Sequence, residues 1–373
     1  MKLLSAIPVL ASAATAAAQS LQLSDLYVNE APSGPRPYIL PHYANSHAVT
    51  IGAQVYRFAV TGASSDYAFT LMSTNAPASG SLGVLPHIHQ KHYENFFAFK
   101  GRFQLWAQKG DGEQQGRLLS QGDYGSVPRN TTHSFQILDP DTEMIGVISP
   151  GGFEDLFYFL GTNHSSATNT PYVPAVSNAS VGGSPEIIST LQRFDVYAQL
   201  DFAPRRDFVN GSAPSDSDWH SVDTSVTDLG SPGEPYFIAN NYGPKYLNAQ
   251  HGAYQIIQPL VTNAQSQDTN YTLSTIILSR QHGKTSSWKG NGASAFEVLE
   301  GSLLIKIGEY PVARLEMGDV AFIPKNTEYQ YWSTASYAKV LYVASGKEGA
   351  DTQLIHGGKS WNYPTFPTTW REL

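Results

Sequence analysis

The chain has 373 residues, no cysteine, 41% hydrophobic and 12% aromatic residues, 32 glycines, 23 prolines and a formal charge of −8. That length is enough for two domains with their own cores. The missing cysteines exclude a disulfide scaffold, a thiol nucleophile, a thiolate zinc site and an iron–sulfur cluster, so a protein-held metal must rest on His, Asp or Glu. With only 14% charged residues and an acidic balance, the composition argues against nucleic acid as a partner.

Residues 1–18 read as a secretory signal peptide. Met1-Lys2 gives a short positive start, the apolar run 3–10 is interrupted by Pro8, and Ala16-Ala17-Ala18 offers a small-residue cleavage site before Gln19. The run falls short of the roughly 20 residues that span a bilayer, and no later segment does better, so no membrane association is expected. A secreted, extracellular protein is expected instead. Its Asn-x-Ser/Thr sequons at Asn130, Asn163, Asn178, Asn210 and Asn270 then become candidate glycosylation sites. Without disulfides, stability must come from core burial.

From residue 19 the pattern is one of short strands rich in aromatic and β-branched residues, separated by Gly, Pro, Asn or Asp clusters. Strands are predicted at 54–59, 67–72, 96–99, 103–107, 134–138 and 145–148. The stretch 166–226 is dominated by Ser, Thr, Asn, Pro and Ala and reads as a linker with one short helix at 185–194, opened by Ser184 as N-cap. Strands resume at 254–261, 273–278, 295–299, 302–307, 320–323 and 340–343. The expected fold is all-β: two antiparallel β-sandwich or jelly-roll barrel domains, 19–165 and 227–373, joined by the linker 166–226.

The two halves repeat each other. Glu94-Asn-Phe-Phe-Ala-Phe-Lys-Gly101 is followed by Gly122-Asp-Tyr-Gly-Ser-Val-Pro128-Arg-Asn130-Thr-Thr-His133. Ala295-Phe-Glu-Val-Leu-Glu-Gly301 is followed by Gly318-Asp-Val-Ala-Phe-Ile-Pro324-Lys-Asn326-Thr-Glu-Tyr329. Gly-Asp-x4-Pro-x-Asn-Thr therefore occurs twice with the same internal spacing, which points to a duplicated β-domain. The Gly-Asp pair makes a turn into a strand, and the Pro ends that strand before an Asn-containing turn.

The first copy carries metal chemistry. His87 and His89 project to the same face of a strand, although a His-x-His pair is a weak signal in a chain with eleven His. Glu94 follows a turn through residues 90–92 and returns on the next strand, and His133 ends the downstream Gly-Asp unit. Three imidazoles and a carboxylate make a credible four-ligand set for a first-row divalent ion; hydrogen-bonded surface histidines are the alternative. His92, out of phase with the pair, falls in the turn.

Gly83-x3-His87-x-His89-x4-Glu94-x6-Gly101 and Gly122-x5-Pro128-x-Asn130-x2-His133 resemble the two motifs of the cupin superfamily. More closely, the runs 85–96 and 122–133 look like the secreted fungal quercetin 2,3-dioxygenases, which are copper-dependent bicupins, and the resemblance extends from about Tyr38 onward. Two departures appear: the first Gly is closer to the His pair, and Asn130 and Ile137 stand where the second motif has Gly and Asn. Neither touches a ligand. Carrying the spacing into the second copy puts Ser287, Lys289, Ser294 and Tyr329 at the ligand positions, so the C-terminal domain is expected to bind no metal. Fungal oxalate decarboxylases differ in keeping a ligand set in both domains.

The resemblance implies one copper ion per chain, held by His87, His89, Glu94 and His133. Ligand identity leaves other first-row divalent metals open, with the Irving–Williams order favouring copper. It further implies that a flavonol such as quercetin binds the copper through its 3-hydroxyl oxygen while Glu94 takes the proton. Dioxygen then adds across the ring, carbon monoxide leaves and a depside remains. Tyr56, Met72, Asn95, Phe96, Phe135, Met144 and Phe153 are the candidate substrate-pocket residues; the six that are apolar or aromatic suit a flat polyphenol, and no arginine accompanies them to clamp a small dianion. No dinucleotide fingerprint, Walker loop or Gly-x-Ser-x-Gly elbow is present. Two rival readings stay open: another metal-dependent bicupin enzyme, oxalate-degrading or ring-cleaving, and a non-catalytic binding or storage bicupin. Whether the chain pairs into a homodimer is open as well.

Overall fold

The computed structural model of the chain describes residues 21–44, 47–164, 171–172, 185–212, 219–220 and 229–368. The expected signal peptide, Asn178 and the N-cap Ser184 lie outside them. Two antiparallel β-sandwiches account for nearly all of the regular structure, each made of one large and one small sheet. In the first half the large sheet runs through Val49–Ile51, Gln54–Val60, Thr70–Ala76, Thr142–Ser149, Tyr93–Lys100 and Tyr124–Val127. The small sheet holds His87–Ile88, Thr131–Ile137, Phe103–Lys109 and Gln115–Leu119. The second half repeats this with Gln255–Val261, Tyr271–Leu278, Ala338–Ser345, Ser294–Glu300 and Val320–Ile323 facing Trp288–Lys289, Glu328–Trp332, Leu303–Ile307 and Ala313–Leu315.

Most predicted strands appear with ends shifted by one to three residues. The strand expected from residue 67 begins only at Thr70, because Asp66 and Tyr67 both adopt positive φ, 57° and 58°, and turn the chain first. The predicted 185–194 helix is an α-helix, Pro185–Leu191, that tightens into a 3-10 turn over Gln192–Phe194.

The large sheets pack against each other and are buried on both faces, which is why their central strands read as continuous apolar runs. Along Tyr93–Lys100, Tyr93, Phe97 and Phe99 point into a core shared with Tyr271, Leu273, Phe322 and Val343 of the second half. Phe96 and Ala98 point the other way, into the first sandwich against Leu105, Phe135 and Met144. Period-two alternation thus gives one strand two jobs, and Glu94 belongs to the inward set.

Each half also lends the other an edge strand. Tyr38–Leu40 pairs antiparallel with Val320–Phe322, and Tyr236–Ile238 pairs with Tyr124–Ser126. The duplicated Gly-Asp turns hold these exchanged arms. Asp123 accepts a hydrogen bond from the backbone N–H of Asn240 (2.7 Å), and Asp319 accepts one from the backbone N–H of His42 (2.9 Å). Gly122 and Gly318 have φ of 89° and 86°. A Cβ on either would lie 2.4 Å from Asn240 or 2.2 Å from His42, so both the backbone and the docked arm demand glycine.

The arms are tied a second time from their own side. The Asn240 side-chain oxygen accepts from Lys339 Nζ at 3.2 Å, and His42 Nε2 lies 3.0 Å from the buried Glu143, which also accepts from the Tyr43 hydroxyl at 2.7 Å. Burial would raise the Glu143 pKa, but His42, Tyr43 and Asn75 outweigh it and hold the carboxyl below its ordinary value. A carboxylate depressed in the folded state contributes stability that is full above its unfolded pKa of about 4.3 and lost as pH falls through the lower folded value. Glu143→Ala is therefore expected to cost about 2–3 kcal/mol at neutral pH. In denaturant titrations the gap from wild type should narrow as pH drops below about 4; a gap that widened in acid would contradict the assignment.

Candidate metal centre

The four predicted donors meet at one end of the first sandwich, between its two sheets. His87 and His133 stand directly opposite in an antiparallel pair of the small sheet. His89 follows two residues after His87 on the same side, and Glu94 comes from the large sheet after the turn at 90–92. The donor atoms all lie within 4.8 Å of one another. His87 Nε2 is 3.1 Å from His89 Nε2, His133 Nε2 is 2.9 Å from Glu94 Oε2, and His89 Nε2 is 3.3 Å from Glu94 Oε1. His89, Glu94 and His133 are buried and His87 is partly so.

Each ring is oriented through its other nitrogen. Nδ1 of His87 lies 2.6 Å from the Leu85 carbonyl, Nδ1 of His89 is 2.7 Å from the Asp195 carbonyl, and Nδ1 of His133 is 3.1 Å from the Thr131 carbonyl. A carbonyl can only accept, so Nδ1 carries the proton and Nε2 of each neutral ring presents a lone pair. Three lone pairs and a carboxylate then converge, acceptor facing acceptor, and a cation in their midst satisfies all four. Donors about 2.0–2.1 Å from a tetrahedral ion sit about 3.3 Å apart, and three of the six donor–donor distances, 2.9–3.3 Å, are of that size. The residues fit a first-row divalent metal.

Electrostatics favour a neutral imidazole at His87 and a carboxylate at Glu94. Burial pushes the His87 pKa well below the usual imidazole value, and the neighbouring His133 and His89 push the same way. For Glu94, burial raises the pKa, but the adjacent His89 and His133 outweigh it and hold the carboxyl well below the ordinary range.

A cavity opens on His87, Glu94 and His133. All seven pocket candidates, Tyr56, Met72, Asn95, Phe96, Phe135, Met144 and Phe153, line it. Asn95 differs from the others, since its side-chain amide donates to the Val147 carbonyl and the Tyr271 hydroxyl and accepts from the Tyr124 hydroxyl. Strand alternation turns it into the core between the halves rather than toward the donors. Sequence reasoning missed a second wall. Leu156, Phe157 and Leu160 continue from Phe153 at helical spacing through the helix Glu154–Leu160, and Ile187, Leu191, Val196 and Ala198 come from the stretch read as linker. The i, i+3, i+4, i+7 stripe from Phe153 to Leu160 was the available signal. Among the described residues no Lys or Arg lines the cavity.

In the second half the structure shifts the expected correspondence by one residue. Trp288, not Ser287, pairs with Tyr329 as His87 pairs with His133, and Asn326 N–H donates to Gly290 O as Asn130 N–H donates to His89 O. The equivalents of the histidine pair are thus Trp288 and Gly290, because the loop leading to Ser294 is one residue shorter than the one leading to Glu94. Trp288, Phe296, Tyr329 and Tyr331 fill this interior as a stacked and tilted aromatic cluster.

Asn130, Asn163, Asn210 and Asn270 are exposed. Asn130, Asn210 and Asn270 have φ of 56°, 53° and 52°, a left-handed conformation that asparagine tolerates better than other residues with a side chain. Asn130 stands where the general motif has glycine, so the backbone accounts for it independently of any sugar. Among the described residues no helix is long and apolar enough to cross a membrane.

No protein-family profile matches the chain. It is 57% identical over 351 residues to quercetin 2,3-dioxygenase of Aspergillus japonicus, an alignment covering 93% of this chain and 99% of that one. It is 33% identical over 142 residues to quercetin 2,3-dioxygenase of Bacillus subtilis, covering 38% of this chain and 39% of that one. Among solved structures, a tryptophan variant of Bacillus subtilis oxalate decarboxylase superposes with a TM-score of 0.51 at 13% identity, covering 86% of this chain and 80% of that one, which speaks to the bicupin fold alone. With its match to the Aspergillus protein running nearly end to end, the chain belongs to the quercetin 2,3-dioxygenase family of bicupin enzymes.

Proposed function

We propose that this protein is a secreted, copper-dependent dioxygenase that opens the heterocyclic ring of flavonols such as quercetin. One O2 is added, one carbon monoxide is released and a depside remains. The observation that carries the reading is the juxtaposition of a His3Glu donor set with an apolar, aromatic cavity free of cationic side chains among the described residues. Bound copper would supply a Lewis-acidic, redox-active centre that lowers the pKa of the flavonol 3-hydroxyl and accepts electron density from the ring. The Irving–Williams order favours copper over other divalent ions at these donors.

The protein's own contributions follow from its geometry. Glu94, ionised at neutral pH, is the only carboxylate among the four donors and accepts the 3-hydroxyl proton. So weak a base suffices only because the substrate's acidity is raised beside a cation. His87, His89 and His133, with Nδ1 tied to carbonyls, are held in the neutral tautomer that ligates through Nε2. Phe96, Phe135, Phe153 and Phe157 give flat surfaces for an aromatic substrate and keep water from the reacting ring. All four donors come from one chain, so a homodimer is not needed for the chemistry.

Oxalate is the specific rival, and the missing cationic clamp counts against it. Copper-loaded protein is incubated in air with quercetin or with oxalate, following the visible band of quercetin and headspace carbon monoxide. Loss of the band with carbon monoxide supports the reading; oxalate consumption with quercetin left intact would overturn it. Secretion with cleavage after Ala18 and glycans on the exposed sequons belong to the same proposal. A mature N-terminus other than Gln19, or no mass loss on enzymatic deglycosylation, would count against them.

A further inference from the structure

Asp195 lies in the stretch read as linker, 106 positions beyond His89, yet it is 5% exposed and contacts the metal centre. Its backbone carbonyl takes the Nδ1 proton of His89 at 2.7 Å. Its carboxylate accepts the backbone N–H of Gln90 at 3.0 Å, of Lys91 at 2.8 Å and of His92 at 3.0 Å, and lies 2.9 Å from the His92 ring nitrogen Nδ1. Those three amides are the turn that connects ligand His89 to ligand Glu94. The rings of His87 and His133 lean on carbonyls two residues before them in sequence, whereas His89 leans on a distant segment. That segment continues directly into the cavity wall at Val196 and pairs with the histidine strand through Tyr197 and Ala198.

We propose that Asp195 is a positioning residue of the metal centre: one side chain and one carbonyl that fix His89 and the turn leading to Glu94 together. The inference rests on reading the four donors as a metal site. A second metal between His89, His92 and Asp195 is the other use of this cluster, but both His89 nitrogens are already engaged, Nε2 facing the four-donor set and Nδ1 donating to the Asp195 carbonyl, and Asp195 Oδ2 is filled by the Lys91 and His92 amides and the His92 ring. Burial would raise the pKa of Asp195; the donors around it hold it at about 2 instead, as expected for a filled carboxylate cage. Its φ of 64° adds a constraint that Asn meets and Ala meets poorly.

The test uses the full-length protein with Asp195→Asn and Asp195→Ala, beside the surface control Asp139→Asn. Copper affinity is read by chelator competition, the copper(II) EPR spectrum in frozen solution, and the unfolding midpoint of the metal-free protein. We expect copper affinity to fall about 10–100-fold, the size of effect seen when outer-shell partners of metal ligands are removed. The loss should be larger for Ala than for Asn, with shifted hyperfine splitting and a metal-free unfolding midpoint near wild type. Affinity within twofold of wild type with an unchanged spectrum would overturn the proposal. If neither variant folds, hydrogen exchange on the metal-free wild type decides: slow amides at 90–92 support the clamp, and fast ones refute it. Flavonol enters none of these readouts, so a protein that binds copper normally but leaves quercetin intact would sink the substrate reading and leave the clamp standing.

Discussion

Glu94→Gln is expected to keep the fold and lower kcat on quercetin about 10²–10⁴-fold, the range that a positioned proton acceptor contributes. The change preserves shape, so the cavity and its aromatic walls stay. It removes the one anion among the four donors and, on the proposed mechanism, the group that takes the 3-hydroxyl proton. Copper binding should weaken as well, because an amide oxygen is a poorer ligand than a carboxylate and its NH2 group points a donor at the imidazoles. His133→Ala separates the two effects. It leaves the base in place but opens a gap in the donor set, so the protein should purify with little copper, and added copper should restore only a small fraction of the rate. Metal content per chain and steady-state kinetics on the same preparations check both; full activity in either variant would mean the reacting centre lies elsewhere.

The second large effect concerns assembly of the halves. Gly318→Ala and Gly122→Ala should each destabilise the protein by about 2–4 kcal/mol, combining the strain of a side chain at positive φ with displacement of a docked arm. At Gly318 the new methyl would sit 2.2 Å from the His42 ring, and shifting His42 breaks its hydrogen bond to Asp319 and its contact with Glu143. At Gly122 the displaced residue is Asn240, held by Asp123 and Lys339. Because both arms cross between halves, the loss should appear as a lower midpoint of the whole unfolding transition. An early transition confined to one sandwich would contradict the exchanged-arm account.

Much of this was legible in the sequence, for identifiable reasons. The convergence of His87, His89, Glu94 and His133 was readable because strand periodicity and a duplicated turn constrain where they can point. The conserved spacing around Gly-Asp revealed the duplication, although only the structure shows why the Gly and Asp are needed: each receives an arm from the opposite half. That exchange depends on pairing across some 280 residues, as between Tyr38 and Phe322, and no local pattern encodes it. Spacing carried over from the first half sets the histidine positions of the second half one residue off, since it assumes loops of equal length. The wall formed by Leu156, Phe157 and Leu160 was written in a helical stripe that went unread amid strands. Asp195 had no sequence signal: its role rests on a left-handed backbone position and on hydrogen bonds to amides, which carry no side-chain signature.

On the proposed mechanism the His3Glu centre beneath the aromatic cavity adds dioxygen across a flavonol ring. Isotope labelling reads it most directly. Copper-loaded protein is given quercetin under 18O2, and depside and carbon monoxide are analysed by mass spectrometry. Addition across the ring puts both labelled atoms in the depside and expels one unlabelled carbon monoxide per quercetin, carrying the carbon and oxygen of the former 3-hydroxyl position. A product with a single labelled atom, or ring opening without carbon monoxide, would contradict the account.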